Sequence, residues 1–363
     1  SRVSGSEIIS SNSKTSYNGN YGLNASWTLY NGNKRLKTIQ QEKLNNQVAE
    51  LDVATSENNI QESIAQVYIQ ILYAAESVKV NESTLQVSIA QRDRGQELLN
   101  AGSIAKSDFA QLEAQVSTDR YQLVTAQATL EDYKLQLKQL LELDGENEMN
   151  IYLPALSDEN VLAPLPTKKD VYIRALSLRP EIEASKLNVE ASELGIGIAK
   201  SSYLPTISLS AGIGTNHTSG SDFTFGEQVK NGWNNSIGLS VSVPIFNNRQ
   251  TKSAVQKAKL QYETSMLSLL DEQKTLYKTI EGLWLDANSA QQRYAAANEK
   301  LKSTQISYEL ISEQFNLGMK NTIELLTEKN NLLQAQQEQL QAKYMAILNM
   351  QLLKFYQGDQ LAI

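Results

Sequence analysis

The sequence predicts an α+β chain, internally duplicated, in which long antiparallel helical hairpins carry a few short β-strands. Three observations predict it: where proline falls, a seven-residue apolar repeat, and stretches of strict two-residue alternation. All six prolines sit at 154, 164, 166, 180, 205 and 244, leaving 34–143 and 250–356 free of them. Those runs are rich in Gln, Glu, Lys, Ala and Leu, which favour helix, whereas proline is the residue a helix interior tolerates least. Phe109, Val116, Leu123, Leu130 and Leu137 recur every seven residues. Leu112, Ala126, Tyr133 and Leu140 follow three behind, with Asp119 as the one polar break. Ile64, Ile71, Val78 and Leu85 keep the same period, as do Leu326, Leu333, Leu340 and Ile347. Such a repeat holds one seam against a partner helix and imposes a left-handed supercoil. Each run breaks once at a glycine, Gly102 and Gly318. The reading is two helical hairpins whose first arms, 34–100 and 250–316, are each about 100 Å long at the α-helical rise.

Three segments alternate instead. Tyr21, Leu23, Ala25, Trp27 and Leu29 interleave with Gly22, Asn24, Ser26 and Thr28. In 203–214, Ile207, Leu209, Ala211 and Ile213 interleave with serines and glycines, and in 237–245 Ile237, Leu239, Val241, Val243 and Ile245 do the same. Alternation puts the apolar side chains on one strand face and the small polar ones on the other. About ten residues is the length a tilted strand needs to cross a bilayer, and it equally suits a soluble sheet with one wet face. The Gly/Ser/Thr/Asn-rich stretch 214–233 reads as an exposed loop holding His217 as a solvated residue.

Composition removes most chemistry. The chain has 363 residues, no cysteine and a single histidine, so cysteine nucleophiles, disulfides and Cys- or His-rich metal centres are excluded. The formal charge of −7 comes without a Lys/Arg cluster, which argues against nucleic acid as a partner. There is no run of 18 apolar residues for a transmembrane helix, and the residues from Ser1 onward are polar rather than signal-like. Gly195-Ile196-Gly197-Ile198-Ala199-Lys200 follows a helical pattern and lacks the Lys-Ser/Thr ending of a phosphate loop. Acidic pairs such as Asp271-Glu272 belong to a long charged helix and read as solvated surface. No catalytic site, cofactor site or metal site is expected, and the chain is not read as an enzyme.

The chain also matches itself without gaps at an offset of 216 residues. Gly22/Gly238, Leu23/Leu239, Ser26/Ser242, Asn31/Asn247, Lys43/Lys259, Leu44/Leu260, Asn100/Asn316 and Gly102/Gly318 all pair at that spacing. A constant register across strand, helix and turn points to duplication. It predicts that the first unit's leading helix and strand precede residue 1, so that the sequence begins within the first strand–strand loop.

The order of these motifs resembles the TolC-type outer-membrane efflux proteins over essentially the whole chain. The resemblance is carried by Tyr203-Leu204-Pro205-Thr206-Ile207-Ser208-Leu209 and by Leu239-Ser240-Val241-Ser242-Val243-Pro244-Ile245-Phe246-Asn247. The tips Asn100-Ala101-Gly102-Ser103 and Asn316-Leu317-Gly318-Met319 complete it. It implies a homotrimer in the outer membrane, with a 12-stranded transmembrane β-barrel continued by an α-helical periplasmic tunnel. It divides the chain into a truncated first repeat (1–147), an equatorial segment (148–180) and a second repeat (181–363). The last comprises a helix, strands 203–214 and 233–246, the long helix 250–316, a tip at 317–321, a returning helix 322–356 and an equatorial tail. The implied function is passive export, as the outer component of a tripartite efflux or type I secretion system. Its implied partners are a periplasmic adaptor, an inner-membrane transporter and outer-membrane lipid. The alternative from another class is a coiled-coil spacer with no transport role.

Residue by residue, the resemblance implies adaptor docking at Ala101, Gly102, Ser103 and Ile104 and at Leu317, Gly318, Met319 and Lys320. It also implies a periplasmic gate. The acid six residues past the first-tip glycine is Asp108, preceded by the hydroxyl of Ser107. The tyrosine three before the second-tip glycine is replaced by Phe315, and the arginine two after it by Lys320. A first ring acid corresponds to Glu324, while the second is Thr327. The expected closing contact is therefore an Asp108–Lys320 bond, and the expected constriction is a single ring of Glu324 carboxylates.

Overall fold

A computed structural model describes residues 17–143, 151–152, 154 and 161–361. The expected equatorial segment 148–180 and the start of the first repeat therefore lie partly outside the described residues. In chain order the elements are β1 (Asn18–Asn31), α1 (Lys34–Asn100), α2 (Lys106–Leu140), α3 (Lys168–Leu178), α4 (Pro180–Ser201), β2 (Thr206–Thr218), α5 (Phe225–Asn231), β3 (Asn234–Ser242), α6 (Gln250–Asn316) and α7 (Thr322–Tyr356). The chain divides into two compact units. One joins the residues up to Asn46 with Leu187–Met266, and the other joins Gln47–Lys186 with the residues from Leu267 onward.

In the first unit the three strands form an antiparallel sheet in the order β1-β2-β3. Its register lines up the alternation of all three strands. Ala25, Ala211 and Ile237 form one cross-strand row, and Trp27, Leu209 and Leu239 the next. Between them lie Ser26, Ser210 and Gly238. A one-residue slip would send every apolar side chain to the other face, so the pattern itself fixes the register. A bulge between Thr28 and Tyr30 takes Leu29 out of the rows and sets Tyr30 opposite Ile207. The apolar face is bare in a single chain, with Ile237 83% and Leu239 65% exposed.

The strand limits differ from the alternation. β2 starts at Thr206 rather than 203 because Ser202, Tyr203 and Leu204 still donate to helical carbonyls and Pro205 has no N–H to give a ladder. β3 starts at Asn234 and stops at Ser242, short of the 245–246 expected, since its last partner is Thr206 and Pro244 follows. The 214–233 stretch is not simply a loop. β2 runs on to Thr218 by pairing with β1, and α5 follows, closed by a capping box between Thr224 and Glu227. His217 is consequently a strand residue paired with Gly19, its ring 5.0 Å from that of Phe225. Each of the two strand-to-helix turns uses two consecutive left-handed residues, Gly32-Asn33 before α1 and Asn248-Arg249 before α6.

The second unit is helical. Its largest core joins Ile69 and Leu72 of α1, Ala290 and Tyr294 of α6, and Tyr344, Ile347 and Leu352 of α7. A second core joins Val171 and Ala175 of α3, Ile182, Leu276 and Ile280, and Leu353 and Tyr356. Arg179, buried between α3 and α4, donates to Glu62 at 3.3 Å and Glu181 at 2.8 Å and lies over the Tyr356 ring. Desolvation raises the Glu62 carboxyl above its usual range despite that guanidinium. Gly195 and Gly197 lie inside α4, as a helical pattern requires. No helix among the described residues is long and apolar enough to cross a membrane.

Candidate functional site

The two hairpin tips share one backbone solution. At the end of α1, Gly102 N–H donates to Leu99 O at 3.0 Å and Ser103 N–H to Leu98 O at 2.8 Å. At the end of α6, Gly318 N–H donates to Phe315 O at 2.9 Å and Met319 N–H to Gln314 O at 2.8 Å. These are the paired bonds of a Schellman motif, which needs a left-handed residue, and Gly102 and Gly318 have φ of 71° and 72°. A Cβ at either would meet nothing within 4 Å. The positive φ, not crowding within the chain, is what calls for glycine there.

Around these turns Ala101, Ser103, Leu317 and Met319 are exposed, while Ile104 and Lys320 are half-buried. The next helices are capped from within. The Asp108 carboxylate accepts from Ala105 N–H at 3.2 Å. Asn321 accepts from Glu324 N–H at 2.9 Å while the Glu324 carboxylate accepts from Asn321 N–H at 3.2 Å, a complete capping box. Lys320 Nζ donates to Glu324 Oε1 at 2.6 Å. That ammonium first, and the Asn321 amide second, hold the Glu324 carboxyl below its usual range.

In a single chain the sequence-derived gate residues are held locally, beside their own turns. Within the chain, among the described residues, Lys320 bonds Glu324 rather than Asp108. The spacing explains it: Glu324 is one turn away on the same strand of chain, and Asp108 is already satisfied by its own helix start. Phe315 is buried against Leu112 and Leu325 in a small core of its own near the tips. A phenyl ring without a hydroxyl goes to the core rather than to a polar contact. Ser107 is exposed, and Thr327 is exposed and donates to Ile323 O at 2.8 Å.

What the pattern marked but did not resolve is Asp119. It is 2% exposed, and Lys329 of α7 is 3% exposed beside it. Lys329 Nζ donates to both the Asp119 carboxylate and the Ser88 hydroxyl of α1. Ser88 in turn donates to Asp119, whose other oxygen accepts from Gln115 Nε2 at 2.9 Å. Burial pulls the Lys329 ammonium below its usual range and the Asp119 carboxylate opposes that pull. The sequence signal was the polar break in one heptad seam; a lone lysine between Leu326 and Leu332 was the matching signal in the other.

Comparison with known proteins follows the same outline. The family model described as outer membrane efflux protein matches residues 1–142 and 171–358. The outer membrane efflux protein BepC of Brucella suis biovar 1 is 24% identical over 290 residues, 79% of this chain and 60% of that protein. The outer membrane protein TolC of Escherichia coli K12 is 23% identical over 311 residues, 83% of this chain and 62% of that protein. The chain therefore spans about three fifths of the length of these relatives. Among solved structures, that of CusC superposes with a TM-score of 0.81 at 19% identity, covering 98% of this chain and 81% of that one. The outer membrane protein VceC of Vibrio cholerae gives 0.76 at 15% identity, covering 96% and 88%. At these identities the likeness is one of fold.

Proposed function

The chain belongs to the outer membrane efflux protein family, and from that premise we propose that it forms a passive export channel of the outer membrane, the outer component of a tripartite efflux or type I secretion system. The observation that carries the reading is the sheet of the first unit. Its large apolar side chains stand in aligned, exposed rows on one face, with Ser and Gly rows between them. A spacer protein has no use for such a face, whereas lipid does. Three strands cannot close on themselves, and an open edge cannot face hydrocarbon, so closure requires more strands from further copies. A homotrimer with a 12-stranded barrel, continued by helices into the periplasm, meets that requirement. The paired bounds of the long helices (34 and 250, 100 and 316, 106 and 322, 140 and 356) and the shared left-handed turns support internal duplication.

Nothing in such a conduit performs chemistry; an inner-membrane transporter supplies the energy and a periplasmic adaptor joins the two. The exposed tips around Gly102 and Gly318 are the proposed adaptor contacts. With nothing near either glycine, a bulky residue is resisted only by its φ, so Gly102→Val and Gly318→Val are expected to distort both turns and abolish adaptor co-purification while the trimer persists. Unchanged co-purification and export would remove the docking role. Fractionation tests the whole reading: the full-length protein should be recovered from the envelope in detergent as a heat-resistant trimer. Recovery without detergent as a soluble monomer or dimer would overturn it.

Glu324, one copy per subunit, is proposed to line the narrowest part of the periplasmic mouth. Like charges gathered at one axis repel each other and attract cations, although Lys320 at 2.6 Å offsets part of each charge. Glu324→Ala should lower cation selectivity and relieve block by divalent cations in planar-bilayer recordings, leaving the trimer intact. Unchanged selectivity and block would leave Glu324 only its role in capping the start of α7.

A further inference from the structure

We infer that the connection between β2 and β3 folds outward, onto the lipid side of the sheet, and seats α5 and its aromatic residues in the headgroup–acyl boundary of the outer leaflet rather than over the pore. In the channel reading on which this rests, the apolar face of the sheet is the one that meets lipid. All three strands join helices at one end of the sheet: β1 runs into α1 after Asn31, α4 leads into β2 at Thr206, and β3 leads to α6 after Ser242. The β2–β3 connection lies at the opposite end, away from the periplasmic helices.

The side chains that the connection touches set the way it folds. Cross-strand partners share a face, so Tyr21 with Thr215 and Gly19 with His217 extend the apolar rows of Ala25 with Ala211 and Leu23 with Ile213. These are the residues that α5 packs on. The Phe225 ring lies 5.0 Å from that of His217 and meets the Tyr21 ring edge-on at 6.4 Å. The Thr215 hydroxyl donates to Val229 O at 2.9 Å. Gly19 makes room for this cluster, since a Cβ there would meet the Tyr21 hydroxyl at 2.8 Å.

α5 also completes β2. Because β3 begins at Asn234, opposite Gly214, β2 has no β3 partner from Thr215 to Thr218. Unpaired backbone groups at such an edge find no water in a membrane. Gln228 of α5 takes the missing place: its Oε1 accepts from Thr218 N–H at 2.9 Å, and its Nε2 donates to Phe223 O at 2.8 Å. Exposed on the same short segment are Phe223, Phe225 and Trp233, together with the charged Asp222, Glu227 and Lys230. Aromatic rings mixed with charges suit the membrane interface and not the hydrocarbon core. The depth agrees. The row of Ala25, Ala211 and Ile237 is the middle of the alternating stretch, and His217 stands six residues beyond Ala211. At a strand rise of about 3.3 Å and a tilt of about 45° that is about 14 Å of height, just past half of an apolar band about 25 Å tall.

The test is nitroxide accessibility in the full-length protein reconstituted in phosphatidylcholine vesicles, with single labels at Phe223→Cys, Leu239→Cys and Ser240→Cys. Collision with oxygen, which concentrates in lipid, is compared with collision with a water-soluble nickel chelate. Leu239 and Ser240 stand on opposite faces of β3 and calibrate the two environments. The oxygen-to-nickel ratio at Phe223 is expected to be several-fold above that at Ser240 and below that at Leu239. A ratio equal to that at Ser240 would overturn the inference, since the segment would then stand in water over the pore. So would a label shielded from both reagents, which would put the patch against protein. Should Phe223→Cys fail to assemble, Phe225→Cys decides by the same criterion. A Leu239 ratio no higher than that of Ser240 contradicts the lipid-facing sheet, and with it the channel reading itself.

Discussion

Arginine at Leu239 is expected to remove most heat-resistant trimer from the outer membrane, whereas arginine at Ser240, the adjacent residue, is expected to leave it nearly unchanged. Leu239 sits in the row with Leu209 and Trp27, on the face that is apolar in all three strands. Ser240 sits in the row with Ser208 and Thr28 on the other face. A cation on the lipid side of a barrel strand costs about 2–4 kcal/mol at the bilayer midplane and far less near the interfaces. In a symmetric assembly that cost recurs in every copy. The measurement is the trimer band of unboiled envelope fractions on a gel, beside total protein. Equal loss from both substitutions would mean that the two faces see the same environment and that the sheet is not a lipid-facing wall.

The second large effect concerns stability rather than insertion. Lys329→Met leaves the Asp119 carboxylate buried with Ser88 and Gln115 as its remaining donors, and one-sided removal of a buried ion pair costs about 3–5 kcal/mol. Thermal dissociation of the trimer, followed by circular dichroism, should move to clearly lower temperature. Asp119→Leu together with Lys329→Met should recover most of the loss, because apolar groups of similar volume remove the desolvation cost along with the attraction. The single variant should thus be less stable than the double. An equally unstable double variant would mean that packing shape, not the unpaired charge, dominates this place.

Helices were the most legible part of the chain. Proline-free runs, a seven-residue period and a single glycine at each tip suffice to bound them, because those signals act locally. Strands were legible in phase but not in extent. Which residues share a face follows from alternation, but where a strand ends depends on its neighbour. Pro205 and Pro244 cut β2 and β3 back at one end, and pairing with Asn18–Gly22 carries β2 through His217 at the other. The tips were legible because a left-handed residue is a local demand. The local partners of Lys320 and Asp108 were not: Lys320 bonds Glu324 and the Asp108 carboxylate accepts from Ala105 N–H, each about one turn away in its own chain segment. Spacing cannot weigh a local bond against a distant one. Asp119 was visible as a polar break in a heptad seam, but its partner lies 210 residues away, and no period connects the two.

The most direct test of the channel claim is current through the reconstituted full-length protein in a planar lipid bilayer. The account predicts discrete, ohmic, cation-preferring steps from trimers, with no requirement for nucleotide or any other energy source. Trimers that insert stably into the bilayer and carry no current would contradict it.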